Sequence, residues 1–133
     1  MYLKILFYSL LVCIAACSSE KRESELIEKK LKERVSSANA FYEKMEKEMG
    51  RQLMKISIIG PIKVSLNLKD KTAITDTEIK LEIKDSLNQP PPLPTRISWR
   101  RYEDGDWQIE FVVPQEIGAA LVMDKTIEAV MKR

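Results

Sequence analysis

Residues 96–112, Arg96-Ile97-Ser98-Trp99-Arg100-Arg101-Tyr102-Glu103-Asp104-Gly105-Asp106-Trp107-Gln108-Ile109-Glu110-Phe111-Val112, place apolar and polar residues in alternation on both sides of an acidic, glycine-bearing turn. Alternation at period two marks a half-buried strand, and two such runs around Asp-Gly predict a hairpin. The side chains discriminate between turn lengths. A two-residue loop, Asp104-Gly105, sets Trp99 opposite Glu110 and mixes the faces. A three-residue loop at 103–105, with Gly105 in the left-handed position, sets Trp99 opposite Ile109, Ile97 opposite Phe111 and Arg101 opposite Trp107. In that register Ile97, Trp99, Ile109 and Phe111 form one apolar face, and both tryptophans read as core. Arg101 is placed to lay its guanidinium on the Trp107 indole. The other face carries Arg96, Ser98, Arg100 and Tyr102 against Gln108 and Glu110, a polar surface.

Upstream, Ile62, Val64, Leu66 and Leu68 alternate with Lys63, Ser65 and Asn67, and Gly60-Pro61 reads as a turn ahead of them. Lys69-Asp70-Lys71 then turns the chain, and Ala73, Thr75, Thr77, Ile79, Leu81 and Ile83 keep the same period. This is a second hairpin. Between the two lies Asn88-Gln89-Pro90-Pro91-Pro92-Leu93-Pro94, whose prolines cannot donate ladder hydrogen bonds and which is expected to be an extended, stiff connector. Pro114 stops the last strand.

Helices flank the strands. Ile27, Leu31, Val35, Ala38, Tyr42, Met45 and Met49 recur at steps of four and three from Ser24 or Glu25 onward, with Gly50 as a stop, or Leu53 and Met54 as an extension. The stripe also fits heptad spacing, but the sheet has an apolar face that needs a cover, so packing within the chain is expected. After Pro114, Ile117, Ala120, Leu121, Met123, Ile127, Val130 and Met131 predict a second amphipathic helix. The expected fold is α+β: a long N-terminal helix, a four-stranded antiparallel sheet made of two hairpins, and a C-terminal helix, with both helices on one face.

The first residues differ in character. Lys4 is the only charge before Glu20, and the apolar run from Ile5 to Ala16 is shorter than the roughly 20 residues needed to span a bilayer. Charged start, apolar middle and small residues at the end form the layout of a signal peptide. Ile14-Ala15-Ala16-Cys17 resembles the lipobox of bacterial lipoproteins, whereas Cys13 follows bulky Val12 and does not fit it. The resemblance implies that residues 1–16 are removed and that the Cys17 thiol carries lipid, with residues 17–23 as a tether to a single domain at 24–133. Several acyl chains hold a protein to a bilayer far better than one. Ser18, rather than an aspartate, follows Cys17, which by the same resemblance implies transfer to the outer membrane, facing the periplasm.

Composition narrows the chemistry. Taking 16 residues and Lys4 from a chain of 133 with 22 Lys+Arg and 20 Asp+Glu leaves 117 residues and a side-chain balance of +1. That is the pattern of a solvated surface, and no nucleic-acid partner is expected. The chain has no histidine, and its second cysteine is the expected lipid site, so His- or Cys-dependent nucleophilic catalysis and zinc ligation are excluded. No catalytic residues, metal ligands or cofactor are expected. Glu103, Asp104 and Asp106 lack the spaced ligands of a calcium-binding hand and read as an ordinary turn.

The remaining candidate surface is Arg96, Arg100 and Tyr102, suited to an acidic protein partner or lipid phosphates. The chain is expected to be a non-enzymatic binding or assembly module, anchored to the membrane through acylated Cys17 and binding an envelope protein. Two alternatives stand beside it: a carrier of a small apolar ligand between helices and sheet, and an inhibitor or immunity protein presenting residues 89–94. Ala40-Phe41-Tyr42-Glu43, together with Tyr102 to Ile109, is similar to small cystatin-like or nuclear-transport-factor-like lipoprotein domains. In those domains an aromatic residue after the Asp-Gly turn packs under the helix.

Overall fold

The computed structural model describes residues 2–50, 54–83 and 86–132, with side chains described from Ser19 onward. The elements run α1 (Tyr2–Met49), β1 (Lys55–Asn67), β2 (Thr72–Glu82), β3 (Leu93–Arg101), β4 (Trp107–Val113) and α2 (Gln115–Met131). The strands form one antiparallel meander in the order β1-β2-β3-β4. The expected α+β architecture is therefore present.

Period-two patterning decides which sheet face is covered. Ala73, Thr75, Thr77 and Ile79 of β2 and Thr95, Ile97 and Trp99 of β3 are buried, while the residues between them are exposed or half-buried. Ile27, Leu31, Val35, Ala38 and Tyr42 of α1 and Ile117, Ala120 and Leu121 of α2 join them in one core with Ile56, Trp107 and Val112. Both helices thus lie on one face, and the other face is open. Trp99 and Trp107 are each only 2% exposed, as core residues should be.

Four details depart from the sequence reading. First, β1 begins at Lys55 and not after Gly60-Pro61. The register jumps between Ile59/Glu78 and Lys63/Asp76, so Gly60-Pro61 is a bulge inside the strand. Gly60 has φ of 81°, open to it because it lacks a Cβ, and Pro61 is tolerated because β1 is an edge strand. The Thr77 hydroxyl donates to the Pro61 carbonyl across the bulge at 3.2 Å.

Second, the β3–β4 hairpin has the expected register only near its turn. Trp99 pairs with Ile109 and Arg101 with Trp107, but the next pairs are Ser98 with Phe111 and Ile97 with Val112. Glu110 is the extra residue of a bulge. The shift turns Val112 inward and Phe111 outward, where it is 59% exposed.

Third, α1 has no break before the fold. Residues 17–23, expected as a tether, contain no glycine or proline, and the helix passes straight through them. Glu23 is already part of the core wall. At the other end α1 stops at Met49, where Gly50, with φ of 66°, donates its N–H to the Glu46 carbonyl. Leu53 lies outside the described residues.

Fourth, α2 is buried only in its first half. Met123, Val130 and Met131 are exposed, and the innermost face reads Ile117, Ala120, Leu121 and Asp124. Gly118 has a structural reason: a Cβ there would stand 3.1 Å from the Val112 Cβ, so glycine lets α2 close onto β4.

Candidate functional site

The expected lipid site, Cys17, lies outside the residues whose side chains are described. Its backbone belongs to α1, six residues before Glu23. Among the described residues no helix is long and apolar enough to cross a membrane.

Arg96 and Arg100 stand four residues apart on β3, with Ser98 between them, and share the open face of the sheet. Each has a carboxylate on a neighbouring strand. Arg96 donates through Nε to Asp76 Oδ1 at 2.9 Å, and its Nη2 reaches Oδ2 at 3.5 Å. This hydrogen bond and the Asp76 charge raise the guanidinium further above its ordinary range. The Arg100 guanidinium stands 3.2 Å from Glu110, the bulge residue. Tyr102 falls one residue beyond the end of β3, half-exposed at the turn.

The bulge adds what the sequence reading left out. Phe111 faces Ser98, and Val113, 55% exposed, faces Arg96. Ile74 pairs with Ser98 from the other side. The open face is therefore an apolar strip at the β4 edge, crossed by arginine–carboxylate pairs, rather than a plain basic patch.

A cleft of about 440 Å³ opens between α1, β4 and α2, lined among others by Lys30, Arg34, Trp99, Asp106, Trp107 and Lys125. Its lining mixes both signs of charge with the tryptophan edges. The polar groups around it are mostly spent on each other. Lys30 bonds Asp106 of the hairpin turn, and Arg34 bonds Asp124 of α2. The Trp107 indole N–H donates to Glu23, and Arg101, which lies across from Trp107, directs its guanidinium to Glu23 at 3.6 Å rather than onto the indole. The Tyr42 hydroxyl donates to the Ala120 carbonyl at 2.5 Å. Burial and the charge of Asp124 raise the tyrosine's pKa, partly opposed by Arg34, so its proton is committed to a structural bond.

These buried polar residues were not singled out in the sequence, although a signal for them exists. Glu23 lies four residues before Ile27, on the α1 stripe, and Asp124 lies three after Leu121, on the α2 stripe. A charge at a stripe position marks a buried pair rather than a solvated face. The Arg34 and Asp124 side chains are 10% and 12% exposed, and Arg34 Nε and Asp124 Oδ1 have no partner among the described residues.

At the far end of the sheet, the connector before β3 is held by Gln89. Its side chain accepts from Ile83 N at 2.9 Å and donates to Ile83 O at 2.6 Å and Ser86 O at 3.0 Å. Leu87 projects fully into solvent from this loop. Among the described residues no cluster of three or more acidic, cysteine or histidine side chains could hold a metal ion. Comparison of the chain with family models, with curated proteins and with solved structures finds no match to any of them.

Proposed function

We propose that this protein is a lipid-anchored, non-enzymatic binding module of a bacterial cell envelope, which uses the open face of its sheet to hold another envelope protein. The observation that carries this reading is the β4 edge. Phe111 and Val113 are more than half exposed beside Arg96 and Arg100, in a fold whose helices both cover the opposite face. Exposed aromatic and arginine side chains are the types enriched where proteins bind proteins. The Ile14-Ala15-Ala16-Cys17 lipobox supports the anchor, and the absence of histidine from the sequence supports a non-enzymatic role. Trp107, buried beneath α1 just after the Gly105 turn, supports a likeness to cystatin-like lipoprotein domains. The mixed charge lining the cleft weighs against an apolar cargo there.

The test is photo-crosslinking in cells from probes at Phe111 and, separately, at Glu25 on the exposed side of α1. A reproducible protein adduct from Phe111 but not from Glu25, lost when Cys17→Ala releases the protein from the membrane, is expected. Adducts from Glu25 alone, or only self-adducts, overturn the reading.

A further inference from the structure

Three contacts gather the start of the mature helix and two turns at one end of the molecule. Glu23 of α1 accepts from the Trp107 indole and faces the Arg101 guanidinium. Arg101 N donates to the Lys71 carbonyl at 2.9 Å, which draws the β1–β2 turn to the same place. The hairpin turn closes over it, with Tyr102 N donating to Asp106 O and Gly105 N to Tyr102 O, both at 2.9 Å.

Cys17 is six residues ahead of Glu23. Along an α-helix that is about 9 Å, and even a fully extended chain reaches only about 20 Å. Because α1 is continuous through these residues, the short helical distance applies. The loop between β2 and β3 lies at the opposite end of the sheet, the length of β3 away, or roughly 26 Å.

We infer that the protein sits on the lipid headgroups through the end bearing the 68–71 and 102–106 turns, with the Leu87 loop uppermost. This orientation rests on acylation of Cys17. It sets the strands steeply to the membrane and leaves the open sheet face accessible from the side. Tyr102, 49% exposed at the turn, is an aromatic with a polar tip, the kind of side chain that settles at the headgroup level. Charge does not draw this end down: Lys69 and Lys71 are offset by Asp70, Glu103 and Asp104, while Glu20 partly offsets Lys21 and Arg22 in the helix start. The stiff tether holds it there, so the orientation is independent of salt.

The experiment uses acylated protein reconstituted in phosphatidylcholine vesicles carrying a headgroup-attached quencher. With Cys13 removed and Cys17 acylated, Asp70→Cys, Tyr102→Cys and Leu87→Cys each offer a single thiol for a fluorophore. Quenching several-fold stronger at positions 70 and 102 than at 87, unchanged between low and high salt, is expected. Equal or stronger quenching at 87, or loss of the contrast at high salt, overturns the orientation. Flotation and intact mass separate the two levels of failure. Protein that is not acylated and does not float removes the anchor and the orientation together, whereas acylated, floating protein quenched from position 87 removes the orientation alone.

Discussion

The indole nitrogen of Trp107 donates to the carboxylate of Glu23, joining α1 to a strand 84 residues further along the chain. Neither residue has an ordinary surface role: Trp107 is 2% exposed and Glu23 only 9%. With Arg101 on its other oxygen, Glu23 is the pin that fixes the direction in which α1 leaves the domain.

Glu23→Ala should therefore destabilise the fold by about 1–3 kcal/mol, since it strands a buried indole N–H. Glu23→Gln keeps an acceptor and should lose less. Urea unfolding followed by fluorescence of the two tryptophans reads both. A loss for Glu23→Ala within about 0.5 kcal/mol, the range of ordinary surface changes, would show that the contact does not secure the helix.

Much of the layer structure was legible because it rests on periodicity. The stripe from Ile27 to Tyr42 and the alternation along Ala73, Thr75, Thr77 and Ile79 each name a buried face, and those faces are the ones buried. What escaped was insertion. An extra residue in a strand changes the face of everything beyond it, and nothing in Ile109-Glu110-Phe111-Val112 announces that Glu110 is the one to be skipped. Gly60-Pro61 misled in the opposite way, because residues that commonly end a strand here bulge within one. The candidate site suffered accordingly. Arg96 and Arg100 were found with the correct face and with Glu110 across from them, but the Asp76 partner of Arg96 and the exposed Phe111 depend on registers that side-chain pattern alone underdetermines.

Phe111 gives the register a direct test. If it were in the core, Phe111→Ala would cost about 3–5 kcal/mol. At 59% exposure the cost should stay under about 1 kcal/mol, while Trp99→Ala on the covered face should show the full core penalty. Deleting Glu110 should leave a folded protein as well, since it removes the bulge while keeping Trp99 opposite Ile109 and Ser98 opposite Phe111. A deletion that abolishes the unfolding transition would refute the bulge.

Arg34 and Asp124 tie α1 to α2 with little water around them, so removing one partner isolates a buried charge. Asp124→Ala should lose about 3–5 kcal/mol. The double replacement Arg34→Met with Asp124→Leu should recover most of that loss, because the unpartnered Arg34 Nε and Asp124 Oδ1 disappear along with the charges. A double-mutant cycle showing simple additivity would mean that the two residues do not act as a pair.

Tyr42 predicts a loss of stability in alkali. Its folded pKa is raised above the ordinary 10.0, first by burial, then by Asp124, with Arg34 opposing. Below about pH 10 the phenol is neutral in both folded and unfolded chains, and its contribution is fully present. Above that pH the unfolded chain gives up the proton while the folded one retains it, so the folded state binds more protons and stability falls as pH rises toward the folded pKa. Tyr42→Phe cannot titrate and leaves the Ala120 carbonyl without its donor, which should cost about 0.5–1.5 kcal/mol at neutral pH. The difference between wild type and Tyr42→Phe, measured by urea unfolding at a series of pH values, should be constant up to about pH 10 and shrink above it. A difference that stays constant, or widens, in alkali would show that the hydroxyl is not held neutral by its surroundings.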